Sequence, residues 1–103
     1  MAITLCVLLW AVDGEADTLE EYETEVLALV PRHGGRVLER MSNVAHTDDA
    51  DHGAVQPTEV QLIEMPDEDA LAAYMADPDR AARSDLRARA VARTEIMRVR
   101  PVG

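Results

Sequence analysis

An α+β fold of the ferredoxin-like kind is what the sequence predicts: βαββαβ with a split second helix and one antiparallel four-stranded sheet. Two observations carry the prediction. The segments "ITLCVLLWAV" and "TEVQLIEM" have strand character, and each is followed by a stretch with helical periodicity and then by a further strand. The order strand–helix–strand thus occurs twice, and helices on one face of a single sheet are its usual solution. The 103 residues hold no low-complexity linker, so one domain is expected over 1–103.

The first strand has apolar side chains at both parities. Ile3, Leu5, Val7 and Leu9 fall on one face and Cys6, Leu8, Trp10 and Val12 on the other, a pattern suited to a strand buried on both sides. A helix follows, with Thr18 and Glu21 at capping-box spacing and Glu20, Glu21 and Glu23 near the positive end of its dipole. Leu19, Tyr22, Val26, Leu29 and Val30 form its apolar stripe. Pro31 and "HGG" end it, with Gly34 or Gly35 free to take the left-handed cap and His33 placed structurally near the helix end.

"RVLERMSNVA" alternates, with Val37, Glu39 and Met41 opposite Leu38, Arg40 and Ser42, as a half-exposed edge strand does. A loop from His46 to about Pro57 leads to the third strand, in which Val60 and Leu62 oppose Ile63 and Met65. Asp67 caps the second helix, which turns Leu71, Tyr74 and Met75 inward. Asp77–Pro78 restarts the chain as a further helix that turns Ala82, Leu86 and Ala90 inward. "TEIMRVR" closes as the fourth strand. Strands one and three, the most apolar, take the centre of the sheet.

Hydrophobic residues are 48% of the chain but aromatics only 3%, with no Phe, so small aliphatic side chains must fill the core. Helices cover only one face. The apolar residues on the other face of strand one are each worth about 1.5–3 kcal/mol when buried, and left wet they form a patch larger than monomers tolerate. A twofold homodimer with two sheets face to face, a dimeric α+β barrel, resolves this and creates an intersheet cavity.

The formal charge is −10, from 20 acids against 10 arginines, which argues against nucleic acid or an anionic membrane surface as partner. Residues 1–79 carry −15 and residues 80–103 carry +5. The basic end is expected to pair with acidic surface, phosphate binding being the sharper alternative. Cys6 is the only cysteine, so no intrachain disulfide is expected. The run Ala2–Val12 lacks a basic flank, meets Asp13 early and is too short to span a bilayer, so a soluble cytoplasmic protein is expected.

Longer stretches carry a family resemblance. "LLWAVDGEADTLEEYETEVLALVPRHGGRVLERM" resembles the opening of the uncharacterised small dimeric α+β barrel proteins of high-GC bacteria, neighbours of the antibiotic-biosynthesis monooxygenases. "TEVQLIEMPDEDALAAYMADPDRAAR" resembles their second half, with Glu64–Met65–Pro66 in place of the usual Glu–Phe–Pro and Asp77–Pro78 at their helix break. The likeness spans nearly the whole chain except the loop from His46 to Gln56. Its motifs are structural, and the family has no agreed catalytic residues to carry over. It implies a barrel whose cavity takes a small, often aromatic or polyketide-like, metabolite, and cofactor-free oxygenase, cyclase or isomerase chemistry in some relatives.

The densest set of ligand-type residues is "HTDDADHG", His46 to Gly53. As a calcium loop it fails, because Ala50 and His52 occupy positions that need acidic or amide oxygens. His46, His52 and an aspartate suit zinc or iron, but no rigid second shell is evident, and the stretch reads as a solvated hairpin loop with no metal. His46 itself, at the start of that loop, is a candidate general base; the alternative is an exposed loop histidine. Glu64 is the candidate acid or base on strand three, or else an ion-pair partner of Arg40 or Arg98. Arg40 and Arg98 are candidate anchors for a carboxylate or enolate, or exposed edge-strand residues. Trp10 either stacks on an aromatic ligand or plugs the barrel end. Tyr22 and Tyr74 lie within helical stripes and read as core. No Gly-rich phosphate loop occurs.

The function these features predict is a homodimer that binds a small organic molecule in the intersheet cavity, without a cofactor. The alternative is a non-catalytic binding or accessory protein with a solidly packed barrel.

Overall fold

The computed structural model describes residues 2–44 and 56–102. Strand β1 (Ile3–Ala11) leads into helix α1 (Ala16–Leu27), a 3-10 turn (Val30–His33) and strand β2 (Arg36–Ser42). Strand β3 (Glu59–Met65) is followed by three short helices, α2 (Glu68–Met75), α3 (Pro78–Ala81) and α4 (Ser84–Ala90), and by strand β4 (Val91–Val99). The sheet runs β2-β3-β1-β4, every pair antiparallel, with the helices on one face. The two most apolar strands are central, where both edges of a strand are hydrogen-bonded.

Alternation along β1 decides the layers. Leu5, Val7 and Leu9 are buried beneath Leu19, Tyr22 and Val26 of α1 and Tyr74 of α2, while Cys6 and Leu8 lie half-exposed on the bare side. On β3, Gln61, Ile63 and Met65 take the helix side, and Val60, Leu62 and Glu64 the bare side.

Several local expectations are corrected. Helix α1 begins two residues before Thr18, and Thr18 donates to the Glu15 carboxylate instead of capping the helix, so the capping box does not form. The second half of the predicted long helix is broken at Ala82–Arg83, which shifts its register: Ala82 is exposed, whereas Leu86 is half-buried and Ala90 buried. Strand β4 starts at Val91, three residues earlier than expected, because Ala11 pairs with Val91 and Trp10 with Arg93, leaving Ala92 as a bulge. A second bulge, at Leu38, interrupts the alternation of β2. Val37 opposes Ile63 and Arg40 opposes Gln61, both on the helix side, while Glu39 and Met41 oppose Leu62 and Val60.

The turn after α1 fits beneath β3. Gly34 takes φ 79°, the left-handed conformation that glycine adopts without penalty. Gly35 follows for a different reason: a Cβ there would meet the Met65 sulfur and stand 2.6 Å from the Glu64 carbonyl oxygen.

Asp77 ties this turn to the helix restart. Its buried carboxylate accepts from the Asp79 backbone N–H at 2.8 Å, from His33 Nε2–H at 2.7 Å and from Arg32 at 3.2 Å. The hydrogen bond from His33, then that from the Asp79 amide and the charge of Arg32, hold this carboxyl below its ordinary value, against the opposing effect of burial. A folded value below the unfolded one, near 3.9, means stability is fully contributed above that pH and lost as pH falls through the folded value. Thermal melts between about pH 5 and pH 3 are therefore expected to decline less steeply for Asp77→Asn than for the parent, with the variant less stable at neutral pH. Parallel declines would show that Asp77 is not part of the acid response.

Candidate functional site

A partly open cavity of about 190 Å³ lies between the sheet and the helices. Its walls are apolar on the sheet side, from Leu5, Val7 and Leu9 on β1 and Ile63 and Met65 on β3. Leu27 of α1 and Leu71 and Met75 of α2 line it from above. This places the cavity under the helices, on the opposite side of the sheet from the expected intersheet cavity. The reason is geometric: three short helices with breaks at Ala76–Asp77 and Ala82–Arg83 cannot lie flush on a sheet.

Polar groups converge on one wall. The carboxyl of Glu23, on α1, is buried and accepts from Gln61 Nε2 at 2.8 Å. The same amide nitrogen donates to Glu59 Oε2 at 2.7 Å, and Gln61 is 1% exposed. Arg40 closes the chain from β2. Its Nε donates to Glu59 Oε2 at 2.7 Å, while its other nitrogens reach the Thr24 hydroxyl and the Glu20 carbonyl of α1, each at 2.7 Å. The result is a line of hydrogen bonds from the cavity to the surface, Glu23–Gln61–Glu59–Arg40.

Burial pushes the Glu23 carboxyl above the ordinary carboxylate range. The neighbouring negative charge of Glu59 adds to this, and the Gln61 hydrogen bond and the charges of Arg80 and Arg40 only partly oppose it. A carboxyl in that condition can both accept and return a proton within an apolar space. Facing it from α3 and α4 are Arg80 and Arg87, with Thr94 on β4. The Tyr74 hydroxyl donates to the Val26 carbonyl at 3.2 Å, and its phenol is held up chiefly by burial, so it stays neutral.

The residues expected from sequence do not meet in this site. Glu64 points to the bare face and pairs with Arg36 at 3.0 Å, not with Arg40 or Arg98. Arg98 pairs with Glu68 at 2.7 Å, outside the cavity lining. Arg40 reaches the site indirectly, by fixing Glu59. Trp10 is buried under the guanidinium of Arg93, 4.4 Å from its ring centroid, and does not line the cavity. His46 and the rest of "HTDDADHG" lie outside the described residues. Tyr22 and Tyr74 are core residues, as expected, and Tyr74 also lines the cavity. Seven of the ten arginines pair with carboxylates among the described residues; within the basic end, Arg83, Arg89 and Arg98 pair with acids from residues 1–79, as expected, and Arg93 pairs with Glu95 inside it.

Glu23, Glu59 and Gln61 had a signal in the sequence. Glu23 lies four residues from both Leu19 and Leu27, inside the apolar stripe, and Glu59 and Gln61 share the parity of Ile63 and Met65. A polar residue at a core position is informative; here its proximity to the helix start suggested a dipole role instead.

Fold and cavity together define an α+β protein of ferredoxin-like topology whose helices roof an apolar, carboxyl-bearing pocket. The chain belongs to the family described as "Domain of unknown function (DUF1330)", whose model matches residues 9–101. Among solved structures, PA3566 from Pseudomonas aeruginosa has a TM-score of 0.71 at 16% identity, covering 99% of this chain and 95% of that one. A putative antibiotic biosynthesis monooxygenase from Bacteroides thetaiotaomicron has a TM-score of 0.70 at 14% identity, covering 98% and 90%. SnoaB from Streptomyces nogalater, a cofactor-independent oxygenase, has a TM-score of 0.65 at 14% identity, covering 98% and 95%. At these identities the likeness is one of fold. No curated protein matches the chain. Among the described residues, no helix is long and apolar enough to cross a membrane.

Proposed function

We propose that this chain is a homodimeric, cytoplasmic protein that holds a small organic molecule in the cavity under its helices and moves a proton on it without a cofactor. The observation that carries this reading is Glu23: a buried carboxyl on the wall of an apolar cavity, oriented by Gln61 at 2.8 Å. Gln61 has no proton to give up at neutral pH, so its role is to fix the carboxyl and leave the other oxygen for a ligand. SnoaB, a structural neighbour, is a cofactor-independent oxygenase, which supports the compatibility of this fold with such chemistry.

Isomerisation of an enolisable ring ketone is the simplest test, because it needs no second reactant. The Glu23 carboxylate takes a proton from the carbon beside the carbonyl, a dienolate forms, and the same carboxyl returns the proton at the γ-carbon. The full chain is expected to convert cyclohex-3-enone to its conjugated isomer, read as growth of the product's ultraviolet absorbance above the buffer rate. A rate equal to buffer, together with no cavity methyl shifting in NMR spectra on addition of the ketone, would sink the reading.

The homodimer rests on the bare face. Cys6, Leu8, Val60 and Leu62 lie there half-exposed, and Met41 and Met97, on flanking strands, are 45% and 48% exposed. Each large apolar side chain is worth about 1.5–3 kcal/mol on burial. Sedimentation is expected to give a dimer at micromolar concentration, and Leu62→Glu with Leu8→Glu to give a monomer that keeps its secondary structure. A folded monomer from the unsubstituted chain would remove this interface.

A further inference from the structure

The cavity contains more positive hydrogen-bonding capacity than the protein uses. Seven arginines have a carboxylate within 2.7–3.5 Å among the described residues. Half-buried Arg80 and exposed Arg87, which lines the cavity at its open side, have no ion pair of that kind among the described residues, in a chain with twice as many acids as arginines. The Arg80 guanidinium lies over the Tyr74 ring, 5.2 Å from its centroid, and also interacts with the Tyr74 hydroxyl, but its Nε is buried with no hydrogen-bond partner among the described residues. Thr94 Oγ1, in the same lining, is in the same condition. Buried polar atoms left without partners are rare, and each calls for an explanation; of the three among the described residues, Trp10 Nε1 lies outside the cavity and the other two both line it.

Both unmet groups can donate, and the one that carries charge, Arg80, can only donate. Arginine offers only N–H groups, arranged as a planar fork that matches a carboxylate with two parallel hydrogen bonds. Glu23 binds Gln61 through one oxygen and keeps the other for the reacting end of a ligand, so the arginines are left to hold the ligand's charge. Size narrows the choice further. An apolar cavity of about 150 Å³ takes a benzene ring, so about 190 Å³ accommodates one ring with a small substituent.

We infer that the physiological ligand is a small organic acid with a single ring or its aliphatic equivalent, its carboxylate held by Arg80 and Arg87 and its apolar body against Val7 and Ile63, facing Glu23. This rests on the reading of the cavity as a small-molecule site and adds the chemical class of its occupant. It also separates the tasks of the charged residues: the arginines bind and Glu23 reacts.

Benzoate and benzamide, matched in shape and different in charge, test the inference directly. Each is titrated into the full chain while the methyl resonances of Leu5, Val7, Ile63 and Ile96 are followed by NMR. Benzoate is expected to shift these methyls and to bind at least about tenfold tighter than benzamide, the worth of one good charge-assisted contact. Arg80→Gln and Arg87→Gln are each expected to weaken benzoate binding more than benzamide binding and so to reduce that preference. The benzoate-to-benzamide ratio on the unsubstituted chain decides the matter even if a variant fails to fold. Equal binding of the two probes overturns the anion inference and leaves the cavity site standing. Benzoate shifts confined to residues outside the cavity overturn the inference as well. Silence of the cavity methyls toward both probes overturns the inference and the cavity reading together.

Discussion

Glu23→Gln is expected to slow the isomerisation of cyclohex-3-enone by about 10²–10⁴-fold, the usual worth of a positioned general base, with the fold intact. The amide has nearly the shape of the carboxyl and can still bond to Gln61, so binding should change far less than turnover. The pH profile of the unsubstituted chain gives a second mark. Proton abstraction needs the ionised carboxylate, and burial holds Glu23 above the ordinary range. Activity should therefore rise with pH through an ionisation higher than the unfolded value of about 4.3, and that step should vanish in the variant.

Stability should move the opposite way. Because the folded pKa lies above the unfolded one, the folded state holds its proton more tightly, and stability falls as pH rises from the unfolded value through the folded one. The charged groups that bear on this carboxyl are Glu59, Arg80 and Arg40, with Gln61 as its hydrogen-bond donor. Glu23→Gln removes the cost of ionising a buried acid, so the variant should melt higher than the parent at neutral pH and converge with it in acid. A variant that melts lower at neutral pH and keeps full turnover would show that Glu23 is a structural residue.

Gly35→Ala is expected to be among the most destabilising small substitutions. The added methyl meets the Met65 sulfur and the Glu64 backbone oxygen, at 2.6 Å from the latter, and a strand carbonyl in a central sheet has nowhere to go. Overpacking of this kind costs about 1–3 kcal/mol or more, and about 4–8 °C of melting temperature per kcal/mol in a domain of this size. Gly14→Ala is the control, with φ +78° but no atom within 4 Å of the added carbon, so it bears only backbone strain of about 1–2 kcal/mol. The function should follow the packing: Met65 is both the residue displaced and part of the cavity wall, so Gly35→Ala should weaken ring-ketone binding where Gly14→Ala does not. Equal melting temperatures for the two variants would contradict the close approach.

The sequence by itself determined the order of the elements, the central place of β1 and β3, the turn at Gly34 and the restart at Asp77–Pro78. Each of these is a local matter. Apolar period, β-branching, a proline's fixed φ and a carboxylate that caps a backbone N–H two residues on act within a few residues, and neighbours in the chain specify them. The capping box at Thr18 and Glu21 was legible too, but Glu15 competed for the Thr18 hydroxyl.

Tertiary structure alone decided the site. One extra residue at Leu38 reverses the parity of β2 and turns Arg40 toward α1, where it fixes Glu59 through a line that ends at Glu23. A bulge leaves no periodic mark in the sequence, because its position answers to the partner strand and not to the strand that carries it. Arg80 entered the cavity for a similar reason: the break between α3 and α4 re-aims its helix, and the angle of that break depends on what lies beneath. Side chains far apart in the chain converge only after register and helix angles are set, and those are settled by packing over the whole sheet.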